Sequence, residues 1–294
     1  MDRRTFLATS AGGLAVALSG CAGADVTAPG EPAVETLDRS LPLDGATRLA
    51  VDGRVGNVTV RQTGGSGVAL RAEKRSRFGT EPLEDVQVRT EREGDRLVVR
   101  VVHDRAFQDP SPVVDVDLGV PAGLVVERVA VEVGDVDVEG VAGPLSVESI
   151  VGDVRVGDVS EDVAVVGDVG DVAVERVGGF VAANTFVGTV AARDVGGFAA
   201  GGAEFGNVAA DVPALRDDAA VETILGDVAL WLAPDLDARL EVRTAAGRID
   251  AEGFALVDTE EGPGSLTGRL GGGAHRLAVR CEEGDVTLRE LPRS

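Results

Sequence analysis

The sequence predicts an all-β chain: a two-sheet β-solenoid with about 18 residues per coil and irregular β caps at both ends. Three observations lead there. Gly134, Gly152, Gly170, Gly188 and Gly206 stand at an unbroken interval of eighteen, each opening Gly-Asp-Val, Gly-Thr-Val or Gly-Asn-Val. A fixed period of this length marks a repeat architecture, in which each unit packs only on its neighbours. The period also divides at nine, and most halves read roughly Gly-x-Val-x-Val-x-x-Val-x. Apolar residues two apart turn one strand face inward, and glycine supplies a bend that a β-branched residue does not tolerate. Finally, no stretch carries a helical hydrophobic period.

Residues 1–20 read as an export signal. Arg3 and Arg4 precede an apolar run from Leu14 to Leu18, which ends in Leu18-Ser19-Gly20-Cys21. Twin arginines before such a run resemble a twin-arginine signal. Leu-Ser-Gly-Cys resembles the lipobox of prokaryotic lipoproteins, whose cysteine is lipidated and becomes the first mature residue. The run is short for a transmembrane span, so lipid at Cys21 implies a chain anchored to a membrane without crossing it. Residues 21–43 then read as the lipidated cysteine and a flexible tether, because Pro29, Pro32 and Pro42 interrupt a stretch with little apolar pattern.

The body, residues 44–290, is predicted to be β throughout. Alternating runs occupy Arg48–Asp52, Asn57–Arg61, Val68–Glu73, Val86–Thr90, Arg96–Val102, Val113–Val120 and Val125–Val133, with a loop over Arg75–Asp85. Regular coils follow over 134–230. Position three of each is Val136, Val154, Val172, Val190, Val208 and, after a two-residue insertion, Val228. Position five is Val138, Val156, Val174, Ala192, Ala210 and Leu230, while the opposite strand offers Leu145, Val163, Val181 and Ala199. Phe180 and Phe198, eighteen apart, are expected to stack at a corner. The irregular N-terminal strands and the segment from Gly247 onward are expected to cover the open ends, since uncovered strand edges invite aggregation.

Composition describes surroundings and partners. Asp and Glu number 50 against 28 basic residues, a net charge of −22, and Lys74 is the single lysine. Such a surface does not attract nucleic acid, whose phosphates need basic partners. Acid excess with almost no lysine resembles proteins of extreme halophiles, haloarchaeal ones in particular; a GC-rich genome also produces the arginine bias. With Cys21 lipidated, Cys281 has no disulfide partner and reads as a small packed side chain in a strand.

Three stretches carry a family resemblance. They are Leu118-Gly119-Val120-Pro121-Ala122-Gly123, the Val-Gly-Asp-Val turns, and Leu232-Ala233-Pro234 before Leu240-Glu241-Val242-Arg243-Thr244-Ala245-Ala246-Gly247-Arg248-Ile249. Together they resemble the putative adhesin family, a domain-of-unknown-function family of prokaryotic cell-surface β-solenoids, over roughly 44–290. The resemblance implies surface attachment and brings no catalytic residues with it.

Catalytic signatures are missing from the sequence. His103 and His275 stand in unrelated contexts, and there is no His-Glu-x-x-His, Cys-x-x-Cys, Gly-x-Ser-x-Gly or phosphate loop. Hence no catalytic residue, cofactor or dedicated metal site is expected, and the chain is read as not an enzyme. Trp231 is placed outward, to meet a partner or to pack under the segment that follows. Asp135, Asp153 and Asp171 occupy one corner of consecutive coils, about 4.8 Å apart. Three explanations compete: the carboxylates cap backbone amides, salt screens them, or they form a cation ladder. Asn57-Val58-Thr59 is a glycosylation sequon whose Asn also fits the Gly-Asn-Val corner.

Three function classes follow. An adhesive or structural module anchored at the cell envelope is favoured, with membrane and envelope components as partners and oligomeric state open. An envelope-stress or signalling accessory protein is the second. The third, a polysaccharide-active β-helix enzyme, needs clustered outward acids beside a basic residue; Asp137 and Arg155 on adjacent rungs offer one such pair, equally read as a surface ion pair.

Overall fold

The corner glycines set the spacing of the chain. In the computed structural model, which describes residues 32–77, 79–103 and 112–292, Gly134, Gly152, Gly170 and Gly188 lie at φ 146°, 142°, 144° and 141°. A Cβ added to Gly152 would stand 2.1 Å from the carbonyl oxygen of Gly134. Two backbones therefore approach where no side chain fits, and the positive φ excludes L-residues independently.

Between corners the chain is extended. It is all-β, 71% strand and 1% helix, in an open sheet not closed into a barrel. The predicted runs are strands, Arg48–Asp52 and Val125–Val133 to the residue. Within the predicted loop over 75–85, the strand Gly67–Ser76 runs on to Ser76 and one helical turn occupies Glu81–Glu84. No helix among the described residues is long and apolar enough to cross a membrane.

Pairing resolves into two ladders. In the first, Val136 lies beside Val154, Val154 beside Val172, Val172 beside Val190 and Val190 beside Val208, all parallel. In the second, Val129 lies beside Val147, Val147 beside Val165 and Val165 beside Ala183, again parallel. The strands Val172–Val187 and Val190–Phe205 run through both ladders, so the whole counts as one 23-stranded sheet. Inward valines of both ladders share one core, with Val136, Val154, Val172, Val138 and Val165 all at most 1% exposed. Every predicted position-three and position-five residue is buried.

Four expectations are corrected. The stretch read as a tether contains a strand, Ala33–Pro42, paired antiparallel with Gly67–Ser76. Leu41 is buried, Leu37 packs on the core, and Glu35 meets the ammonium of Lys74 at 3.2 Å. The strand also satisfies amides that would leave Gly67–Ser76 an open edge.

The opposite-strand column ends on Phe198 rather than Ala199, because the register slips between Val181 and Ala182. Phe198 consequently enters the core, while Phe180 stays outside over Gly197, whose missing side chain leaves room for the ring. The two phenylalanines do not stack.

The segment beyond Gly247 is not simply a cap. His275–Glu283 lies between Ala219–Leu225 and Ala238–Ala246, and Val286–Glu290 lies between Val228–Leu232 and Ile249–Glu252. The last repeat is thus threaded one place inward. Gly284-Asp285-Val286 repeats the phrase Gly226-Asp227-Val228 and stacks on it, with the amide of Asp285 2.9 Å from Asp227 Oδ1. The N-terminal end mirrors this. Arg48–Asp52 lies between Arg96–His103 and Val125–Val133, and Val58–Thr63 between Val113–Pro121 and Val136–Glu139.

Candidate functional site

The corner opened by each glycine is the most elaborated part of the molecule. The carboxylate of Asp135 accepts a hydrogen bond from the amide of Asp153 at 2.9 Å, Asp153 accepts from Asp171 at 3.0 Å, and Asp171 from Thr189 at 2.7 Å. The column continues upstream, where Asn57 Oδ1 accepts from the amide of Asp135 and Asp115 accepts from that of Asn57. It resumes through Asn207, Asp227 and Asp285 to the amide of Arg248. Like charges stack here because each carboxylate meets an N–H of the neighbouring repeat, a charge-assisted contact that offsets their repulsion. Of the three explanations for the aspartates, amide capping is the one the geometry displays. Among the described residues no group of three or more His, Cys, Asp or Glu converges as a metal site. Asn57, the sequon residue, has a capping side chain.

Beneath this column lies a buried one that the sequence reading missed. Thr185 Oγ1 donates to the carbonyl of Gly170 at 3.1 Å, Thr223 to Gly206 at 3.0 Å and Thr244 to Gly284 at 2.9 Å. Cys281 holds the equivalent place, its Sγ 3.3 Å from the carbonyls of Gly226 and Gly284. The thiol therefore replaces a hydroxyl rather than only filling space, and burial pushes its pKa up. The signal was available: Thr185 and Thr223 each stand three residues before a corner glycine, as Cys281 does before Gly284.

Outside the corner runs an apolar strip. Val133, Val151, Val169, Val187, Phe205 and Leu225 precede successive corner glycines, and all are exposed. They occupy matched register positions, so the strip extends roughly 24 Å at a strand spacing of about 4.8 Å. Strand alternation assigns Val151 to the inward set of Leu145 and Val147, but it lies beyond the buried Ser149, where the core ends. Ile150, Phe186 and Ile224 add to the strip from the next column, and Phe186 meets Phe205 edge to face at 5.5 Å. Beside them an open groove of about 520 Å³ is floored by Gly202 and Ala203 and walled by Phe186, Ile224, Glu204 and Glu282. Of the twelve exposed large apolar side chains among the described residues, nine belong to these two columns, the others being Val34, Val166 and Val257. Contiguous apolar surface of this kind marks interaction sites.

Away from the edge, several outward arginines are engaged. Arg176 grips Asp158 with bonds of 2.9 and 2.8 Å and holds that carboxyl below the usual range. Arg216 grips Asp162 likewise, lowering its pKa together with the amide of Phe180, and lies 4.0 Å over the Phe180 ring. Asp137 pairs with Arg61 and Arg155 with Asp153, so these two do not form the pair their adjacent rungs offered. Trp231 is half-buried, with the guanidinium of Arg193 3.8 Å from its ring. His103 is partly buried, which lowers its pKa, and lies in a different part of the chain's pairing from His275. Cys21, Arg3 and Arg4 lie outside the described residues.

No protein-family model matches the chain, and no curated protein matches it. Solved structures do. A putative adhesin from Bacteroides fragilis is 14% identical, covering 86% of this chain and 97% of its own, with a TM-score of 0.47. A putative lipid binding protein from Parabacteroides distasonis is 10% identical over 88% and 97%, with a TM-score of 0.46. A putative cell adhesion protein from Clostridium sporogenes is 9% identical over 89% and 100%, with a TM-score of 0.28.

Proposed function

We propose that this chain is a non-catalytic surface protein of the cell envelope, anchored by lipid at Cys21 and exported through the Arg3-Arg4 signal. The apolar edge is its contact surface. The observation that carries the reading is the concentration of exposed apolar side chains on one edge of a body whose polar corners cap its own backbone. The eighteen-residue parallel register supports a two-sheet solenoid, a form that presents the same side chain at every turn and so builds long uniform surfaces. The role is adhesive or structural, and the acid excess fits a halophilic exterior.

Capture from intact envelope tests it. The wild-type protein should retain envelope components that Phe186→Ser/Phe205→Ser does not; equal retention by both would remove the edge from the function. Cys21→Ser should release the protein from the membrane fraction, and persistence there after a high-salt wash would refute the anchor.

A further inference from the structure

The strip is bordered by acid on both sides. Beyond the corner glycines stand Asp135, Asp153, Asp171 and Asp227. On the other side Glu132, Asp168, Glu204 and Glu282 alternate with Ile150, Phe186 and Ile224, so acids recur about every 9.6 Å. Elsewhere carboxylates such as Asp158 and Asp162 are gripped by arginines. Glu132 is held by Arg54 at 3.2 Å, but the carboxylates of Asp168, Glu204 and Glu282 form no ion pair or hydrogen bond among the described residues. Arg280, the cation of the adjoining groove, is held by Glu222 at 3.1 Å. An apolar strip with unneutralised acid along its rim complements a cation and repels an anion.

We propose that this edge docks an amphipathic cationic segment of a partner protein. Its apolar side chains lie on Val151, Val169, Val187 and Phe205, and its Lys or Arg side chains reach Asp168, Glu204 and Glu282. This rests on the edge being the contact surface, as argued above. A second copy of the chain fits poorly, because its own carboxylates would face these and each molecule carries −22. A strip of roughly 24 Å matches a helix of about 16 residues, and the groove beside Phe186 accepts a long cationic side chain against both an aromatic face and two carboxylates.

Two fluorescein-labelled helical peptides of about sixteen residues provide the probes, one patterned with Leu and Lys, the other with Leu and Glu. Binding is read by anisotropy at the lowest potassium chloride concentration at which circular dichroism shows the full chain folded. The Leu/Lys peptide should bind at least about tenfold more tightly. Asp168→Asn/Glu204→Gln/Glu282→Gln should erase that preference, while the same neutralisation at Glu84, Glu91 and Glu93 leaves it in place. Equal binding of the two peptides would overturn the proposal, as would a preference that both triple variants lower alike, which reports bulk charge. A dimer in light scattering that Phe186→Ser/Phe205→Ser dissociates would make the occupant a second copy and overturn it too. If envelope capture needs Phe186 and Phe205 while the peptides bind equally, the contact surface stands and the cationic occupant falls.

Discussion

Asp153 accepts a hydrogen bond at 3.0 Å from the backbone amide of Asp171, the residue directly above it in the next repeat. One carboxylate thus ties two repeats together at the point where each strand ends. Asp153→Ala should cost about 1 kcal/mol in thermal or denaturant unfolding, as loss of a capping oxygen generally does. Asp153→Asn keeps the acceptor, as Asn57 and Asn207 do naturally, and should recover most of the stability. Equal losses for Ala and Asn would show that charge rather than the hydrogen bond matters.

Gly170→Ala should be far more harmful. A Cβ there meets the Gly152 carbonyl oxygen at 2.1 Å, with φ at 144°. Because the obstacle is backbone of a stacked repeat, relief means separating the repeats, and a loss of upwards of about 3 kcal/mol is expected. Gly45, with nothing within 4 Å of its added Cβ, is the control: at φ 88° its alanine variant suffers backbone strain alone. Matching losses at the two sites would exclude close stacking as the cause.

Val172→Asp places a carboxylate at a position 1% exposed, between Val154 and Val190. An unpaired charge there should destabilise by several kcal/mol, read as loss of the cooperative unfolding transition. A variant that melts like the wild type would mean that the ladder is not buried as described.

Cys281 should resist thiol reagents in the folded chain, since it is 3% exposed and burial raises its pKa. Cys281→Thr reproduces the side chain found at Thr223 and Thr244 and should be close to neutral. Cys281→Ala removes the thiol from the Gly226 carbonyl, while Gly284 keeps the hydroxyl of Thr244, and should cost about 1 kcal/mol. Labelling by a disulfide reagent as fast as in the unfolded chain would contradict this placement.

Acid sensitivity should follow Asp95. Its carboxylate is held down to about 2 by hydrogen bonds from Arg48 and Thr47. A carboxylate with a depressed folded pKa contributes stability above its unfolded value near 3.8, and the contribution is lost as pH falls through the folded value. The difference in melting temperature between wild type and Arg48→Gln should therefore be constant above about pH 5 and shrink toward zero between about pH 4 and 2. Taking the difference cancels the general relief of negative charge in acid. Molar salt should reduce it at every pH, because the pair is exposed.

The strands and the eighteen-residue register were legible because both are local. Alternation in Arg48–Asp52 or Val125–Val133 depends on neighbours two residues away, and a corner glycine is required by its own φ. The Asp column was legible as a column, though its bonds to the next repeat were one of three readings. The hydroxyl column was not legible as a column because Gly167 and Ala203 stand at the equivalent positions beside Thr185 and Thr223, and a cysteine, Cys281, continues it.

The sequence by itself determined the all-β class, the eighteen-residue interval, the inward apolar positions and the aspartate corner, which follow from one phrase recurring with variations along the chain. Tertiary structure alone decided where unique pieces go. Val58–Thr63 and Val286–Glu290 are threaded one place in from the ends, Ala33–Pro42 closes an edge, Phe198 turns in while Phe180 turns out, and the Val133–Leu225 strip stays exposed. A repeated phrase such as Gly-Asp-Val can stack on any other copy of itself, so the sequence leaves the order of stacking open. Which copy is chosen depends on long-range closure and on which edges then remain to be covered, and those are properties of the whole fold.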